Sequence, residues 1–257
     1  MRERCFQVAG VDGCRAGWFA AIATVERRNS GSDASYTYRL TDFFMATTFA
    51  EVLSKTGDCE LVCVDIPIGL SDGAKPRQCD VAARRILGRG RASSVFPPPI
   101  RACLAVSDYE TASRICFEHS GKKLTKQGFF IMAKIREVDL AMTPQLQSAF
   151  GGVREIHPEI SFWALAGGRP ARHNKKSVAG RKERIVLLSA IFSDLEQFVA
   201  QARQPGKVVP DDILDAVAAA WTAGRAVIGK ANTLPENREF DSRGLKMEIL
   251  YPTSYNQ

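Results

Sequence analysis

Phe6-Gln7-Val8-Ala9-Gly10-Val11-Asp12-Gly13 and Leu61-Val62-Cys63-Val64-Asp65-Ile66-Pro67 share one pattern: a short apolar run that closes on an aspartate. Apolar runs of this length bounded by glycine or proline read as strands. The second run does not alternate with polar residues, so it suits an interior parallel strand covered on both faces. In both runs the acid stands at the C-terminal end, where open α/β sheets place their chemistry. An acid inside an apolar run is costly unless it is paired, which marks Asp65 as functional. Asp12 before Gly13 suits a plain turn as well as a site.

Working outward, residues 18–25 form a second apolar run, residues 27–34 a polar turn, and residues 36–40 a third strand. Together with the first run these predict an antiparallel meander. A short helix is expected at 49–55. Residues 72–150 are helical in pattern and rich in basic residues, with helices at 79–87, 109–119 and 127–142 and a proline-stiffened loop at 93–101. A strand at 153–157, a helix at 159–166, a basic loop at 169–184 and an amphipathic helix at 185–202 follow. The last strong helix spans 211–228, and a strand is expected at 247–251. The expected fold class is α/β: a mixed sheet, antiparallel meander plus parallel strands, flanked by helices. We expect one domain over residues 1–257 with a mostly helical insertion at about 72–150.

Of the 257 residues, 45% are hydrophobic and 25% charged, an ordinary globular composition that excludes a disordered chain. Seven cysteines, an odd number without a Cys-x-x-Cys pair, fit reduced, buried thiols; Cys5, Cys59 and Cys63 stand in strand-like runs. None of His119, His157 and His173 stands at zinc-ligand spacing. Residues 1–4 lead straight into the first strand. With no signal-peptide core and no membrane-length apolar stretch, a cytoplasmic location is expected.

A third acidic feature is Asp211-Asp212-Ile213-Leu214-Asp215 at the start of the last helix. Asp212 and Asp215 are three apart and share a helical face. Asp211 reads as a cap, whereas Asp215 lies a turn inside. Ala216, Ala219 and Ala220 would let this helix sit close on the sheet. Several carboxylates in one cleft repel each other unless a cation joins them. Hard divalent ions take oxygen ligands, and two of them about 4 Å apart support phosphodiester hydrolysis. The expected cofactor is therefore Mg²⁺ or Mn²⁺, as a two-ion site.

Lysine and arginine number 35 against 28 aspartates and glutamates, a net charge of +7. Three basic clusters stand out: Arg84, Arg85, Arg89 and Arg91; Lys122, Lys123 and Lys126; and Arg172, Lys175, Lys176, Arg181, Lys182 and Arg184. Each suits either a phosphate-backbone footprint on DNA or RNA or a solvated surface. Lys134 lies within an apolar helix and reads as a phosphate ligand or a counter-charge.

Gly10-Val11-Asp12-Gly13-Cys14-Arg15-Ala16-Gly17-Trp18, Val64-Asp65-Ile66-Pro67-Ile68-Gly69-Leu70, Cys79-Asp80, Ser93-Ser94-Val95-Phe96-Pro97, Lys134-Ile135-Arg136-Glu137-Val138-Asp139, Glu155-Ile156-His157-Pro158-Glu159 and Asp211-Asp212-Ile213-Leu214-Asp215-Ala216 together span nearly the whole chain. This set resembles domain-of-unknown-function family 429, described as predicted ribonuclease H-like nucleases. The order of its acids is similar to that of the ribonuclease H-like superfamily, especially its Holliday-junction-resolvase branch. The resemblance implies a ribonuclease H-like fold and a metal-dependent nuclease that hydrolyses phosphodiester bonds with two metal ions. It implies a catalytic metal site of Asp12, Asp65, Asp212 and Asp215, with Glu155 as a further acid and Glu159 beside it. His157 would be a proton shuttle or a hydrogen-bonding structural histidine, and Arg84, Arg85 and Lys134 would meet substrate. Two other readings stay open. One is a non-catalytic nucleic-acid-binding or regulatory protein on the same fold. The other is an actin- or sugar-kinase-like nucleotide-phosphate enzyme, which also opens on a strand-Asp-Gly turn; this chain lacks that group's second glycine-rich phosphate loop and is short for its two lobes.

Overall fold

Strand β1 (Cys5–Cys14) pairs antiparallel with β2 (Gly17–Ser30), and β2 pairs antiparallel with β3 (Asp33–Ala46). The structure, a computed structural model, describes residues 5–30, 33–148, 151–204 and 206–253. Strand β4 (Leu61–Val64) lies parallel to β1, and β5 (Gly152–Glu155) lies parallel to β4. The sheet order is β3-β2-β1-β4-β5, the mixed sheet of antiparallel meander plus parallel strands expected from the sequence. The meander is longer than expected. Of the polar segment 27–34, residues 27–30 and 33–34 extend β2 and β3, while Gly31 and Ser32 lie outside the described residues. Arg27 and Arg28 are exposed, so this end of the hairpin pairs its backbone without needing apolar side chains.

The helices are α1 (Phe49–Lys55), α2 (Gln78–Arg91), α3 (Tyr109–Ser120), α4 (Lys126–Ala141), α5 (Pro144–Ser148), α6 (Pro158–Leu165), α7 (Val178–Ser189), α8 (Leu195–Ala202) and α9 (Pro210–Val227). Four of them, α2 to α5, fall in the segment at about 72–150, whose residues 149–150 lie outside the described residues. The helix expected at 185–202 is two helices. The Ser177 hydroxyl accepts the Gly180 amide at 3.0 Å and starts α7 within the expected basic loop. The chain then breaks before α8 and buries Phe192 at the break. A two-stranded antiparallel ribbon, β6 (Ala231–Leu234) with β7 (Ile249–Pro252), contains the expected late strand and a partner the sequence did not suggest. Cys5 is exposed, against expectation; the other six cysteines are buried, and all are free. Burial pushes the Cys63 thiol up to about 12, which keeps it inert. No described helix is long and apolar enough to cross a membrane.

Side chains alternate across β1 and β2. Val8, Phe19, Ala21, Ala23 and Val25 join the core under α9, while Ala9, Val11, Trp18, Ala20 and Ile22 join the core under α1 and α4. On the second face Glu137 of α4 accepts both the Trp18 indole N–H and the Phe49 amide, each at 3.0 Å, and so joins α4 to β2 and α1. On the first face α9 rests on the sheet through Ala216, Ala219, Ala220 and Ala223, all fully buried. The two backbones meet at Gly10, where a Cβ would stand 2.0 Å from the Ala216 carbonyl oxygen and 2.1 Å from the Ala220 amide nitrogen.

Gly10→Ala should therefore lower unfolding free energy by about 3 kcal/mol or more. Gly90→Ala, in α2 with nothing within 4 Å, should be neutral or gain up to about 1 kcal/mol. Urea unfolding of both variants checks this, and equal effects would contradict the packing described.

Candidate functional site

The three parallel strands finish side by side. The Asp65 amide donates to the Val11 carbonyl at 3.0 Å, which carries the β1–β4 ladder one residue past β4 and sets Asp65 beside Asp12. Likewise the Ile156 amide donates to the Val64 carbonyl at 3.0 Å, bringing the His157-Pro158-Glu159 turn to the same edge. Asp215 reaches this edge from α9. Asp12 and Asp65 line a cleft of about 550 Å³ with the residues of that turn and of the 174–176 loop, and Asp215 lies buried behind its wall, held by Lys175.

Burial first, then Asp65 and Asp215, raises the Asp12 carboxyl well above the usual range. Burial pushes Asp65 up to about 6; His157 opposes the rise and Asp215 adds to it. Asp215 is raised by burial and held down by Lys175. The Lys175 ammonium donates to Asp215 at 2.6 Å, and its own pKa is raised by Asp215 first, with Asp12 and Asp65 adding. One ammonium thus serves three aspartates, two buried and one half-buried. The sequence placed Lys175 in a basic surface cluster; only its position in the fold reveals it as an inner counter-charge.

Asp212 stands at the margin of this group. Its carboxylate accepts the Val209 amide at 3.3 Å, so it closes the first turn of α9, while Asp211 pairs with Arg181 at 3.4 Å. The capping role expected of Asp211 belongs to Asp212, because Pro210 takes the first helical position and shifts the turn by one residue. Burial raises the Asp212 carboxyl, and the Val209 amide opposes this.

Glu155 meets a different partner. It is ion-paired with buried Arg77 and accepts the Ile68 amide at 2.7 Å. Asp80 stands 3.8 Å from the same guanidinium. Cys79, Asp80 and Glu155 are the one group among the described residues whose potential ligand atoms all lie within 4.8 Å of one another, and they are compact enough to hold an ion. Arg77 already supplies the positive charge there. Asp12, Asp65 and Asp215 are spaced more widely.

Glu159 is buried and ion-paired with Arg184, with its second carboxylate oxygen unpartnered. Arg184, expected in the basic loop, is a buried residue of α7. His157 brings Nε2 within 3.4 Å of the Ser94 carbonyl and keeps Nδ1 buried without a partner. Lys134 borders the cleft; it donates to the Gly17 carbonyl and lies 4.5 Å from the Trp18 ring centroid. Arg84 donates to the Val95 carbonyl, and Arg85 is exposed on α2. Neither lines the acid cleft.

Among solved structures the chain is similar to the Thermus thermophilus RuvC structure. The two share 13% identity over 87% of this chain and 97% of that chain, with a TM-score of 0.35. Among curated proteins nothing matches. The model of the family described as "Protein of unknown function (DUF429)" matches residues 10–240, and the chain belongs to that family.

Proposed function

We propose that this protein is a metal-dependent nuclease whose ions are held by Asp12, Asp65 and Asp215, with Asp212 completing the set. The observation that carries the reading is the gathering of three aspartates from two strand ends and one helix, two lining the cleft and the third buried against its Lys175, with that one ammonium near all three. Buried charge at that ratio is uncompensated, and the donors are hard carboxylate oxygens, so the site fits Mg²⁺ or Mn²⁺. The Cys79, Asp80 and Glu155 group fits less well, since Arg77 would repel an incoming cation.

Such ions supply Lewis-acid stabilisation of phosphate oxygens and activation of water. The chain supplies the rest. The Ser94 carbonyl can only accept, so a neutral His157 carries its proton on Nε2 and is held at the cleft by that contact. Lys176 and Arg91 line the cleft beside Lys134 and suit the phosphates on either side of the scissile one. The net charge of +7 and the exposed Arg85, Lys122 and Lys123 favour a polyanionic partner, DNA or RNA.

Asp12→Asn and Asp215→Asn should each reduce Mn²⁺-dependent cleavage of DNA or RNA more than about 100-fold, with calorimetric Mn²⁺ binding lost and the circular dichroism spectrum unchanged. Full activity in both variants would end the assignment.

Lys175→Met should enlarge the rise in melting temperature that Mn²⁺ produces, because no resident cation competes for Asp215. An unchanged or smaller rise would mean that Lys175 stands outside the ion's place.

The raised Asp65 carboxyl has a definite sign in stability. In EDTA an unfolded aspartate ionises near about 3.9 while the native one holds its proton to about 6. The native state therefore binds more protons in this window, and this group's contribution to stability falls as pH rises through it. Asp65→Asn should match wild type in melting temperature near pH 4 and exceed it by about 3 °C or more at pH 7. A deficit at pH 7 would contradict this account of the site.

A further inference from the structure

A second cavity of about 550 Å³ adjoins the acid cleft. Asp80 lines both. The 93–100 loop forms the wall between them: Phe96 borders the acid cleft, and Pro97, Pro98 and Pro99 border the second cavity. Helix α4 turns Phe130, which is 76% exposed, toward the first, and the residues just before it, Leu124 and Thr125, line the second. A strand with one phosphate among the aspartates would pass the 93–100 loop on its way to the second cavity.

The chemistry of this cavity is unlike that of the first. Its walls are largely proline and aliphatic, and Lys75, Arg84, Lys122 and Lys123 line it. Its one carboxylate, Asp80, faces Arg77. Arg77 is buried, lines the cavity, and leaves Nε and Nη1 without hydrogen-bond partners. A guanidinium only donates, and its charge is already met by Glu155 and Asp80. The unmatched N–H groups therefore suit neutral acceptors such as the carbonyl or ring nitrogen of a base. Proline and aliphatic walls, buried donors and surrounding cations suit a nucleotide: base inside, phosphates outside. The volume lies within the range of about 300–1,000 Å³ usual for small-ligand sites.

We propose that this cavity receives an unstacked nucleobase from the strand held at the acid cleft, so that the substrate is single-stranded or carries unpaired nucleotides. The proposal rests on the nuclease reading above. A paired base is stacked and would first have to be extruded, which costs energy that a single strand does not require.

The test uses the intact protein with Ca²⁺ replacing Mg²⁺ and a short single strand carrying 2-aminopurine, compared with its duplex. Wild type should bind the single strand about tenfold or more tightly than the duplex, with a fluorescence change on binding. Ala74→Trp, at an exposed position lining the cavity, should reduce single-strand affinity about tenfold while leaving calorimetric Mn²⁺ binding unchanged. Lys122→Ala with Lys123→Ala should lower the slope of log affinity against log salt by about 1.4, the share of two phosphates on a single strand. Duplex preference, or wild-type single-strand binding and salt slope in these folded variants, would overturn the proposal alone. Mn²⁺ binding without affinity for any nucleic acid would overturn the nuclease reading and the proposal with it.

Discussion

At Gly10 the backbone of β1 runs against the backbone of α9 with no side chain between them. That approach sets how deep α9 lies and therefore where Asp215 stands. A helix raised by even one methyl group would carry Asp215 away from the ends of β1 and β4. The alanines of α9 serve the same closeness from the helix side, and β4, one strand over, sets Asp65 beside Asp12 through the Val11 carbonyl. Packing and chemistry are one constraint here: the small residues that let the layers touch also bring the acids together.

Gathering carboxylates in a buried place costs free energy, and the molecule divides that cost among three cations. Arg77 answers Glu155 and Asp80, Arg184 answers Glu159, and Lys175 stands near the remaining three. The first two are rigid, fully buried guanidiniums on helices or at their starts. Lys175 is a flexible chain on a loop, its side chain 40% exposed. Of the three cations it is the one that can leave without dismantling a packed layer. This difference separates the acids held by fixed guanidiniums from those whose partner is free to move.

Much of the sheet was legible because its signals are local. Two apolar runs ending on aspartates, a meander with turn residues between its strands, and small residues along α9 each lie within a few positions of one another. What escaped was long-range or overshadowed. Lys175 and Asp215 are 40 residues apart, and nothing near either one names the other. Glu155 reads as a strand-end acid until Arg77, 78 residues earlier, is folded against it. The Ser177 cap of α7 was readable in principle but lay inside a run of lysines and arginines that resembled a loop. The helix break before α8 follows from burial of Phe192, which only the packed core decides.

The two adjoining cavities give the molecule an acidic half and a basic, apolar half that meet at Asp80. The proposed chemistry requires the acidic half to be a place for divalent ions rather than a self-sufficient lysine–aspartate cluster. A crystal structure of the protein grown with Mn²⁺, with anomalous scattering used to locate the metal, tests this most directly. The predicted result is Mn²⁺ bound by Asp12, Asp65 and Asp215, with the Lys175 ammonium withdrawn from Asp215. Mn²⁺ on Cys79, Asp80 and Glu155, or none at all with Lys175 still on Asp215, would contradict it.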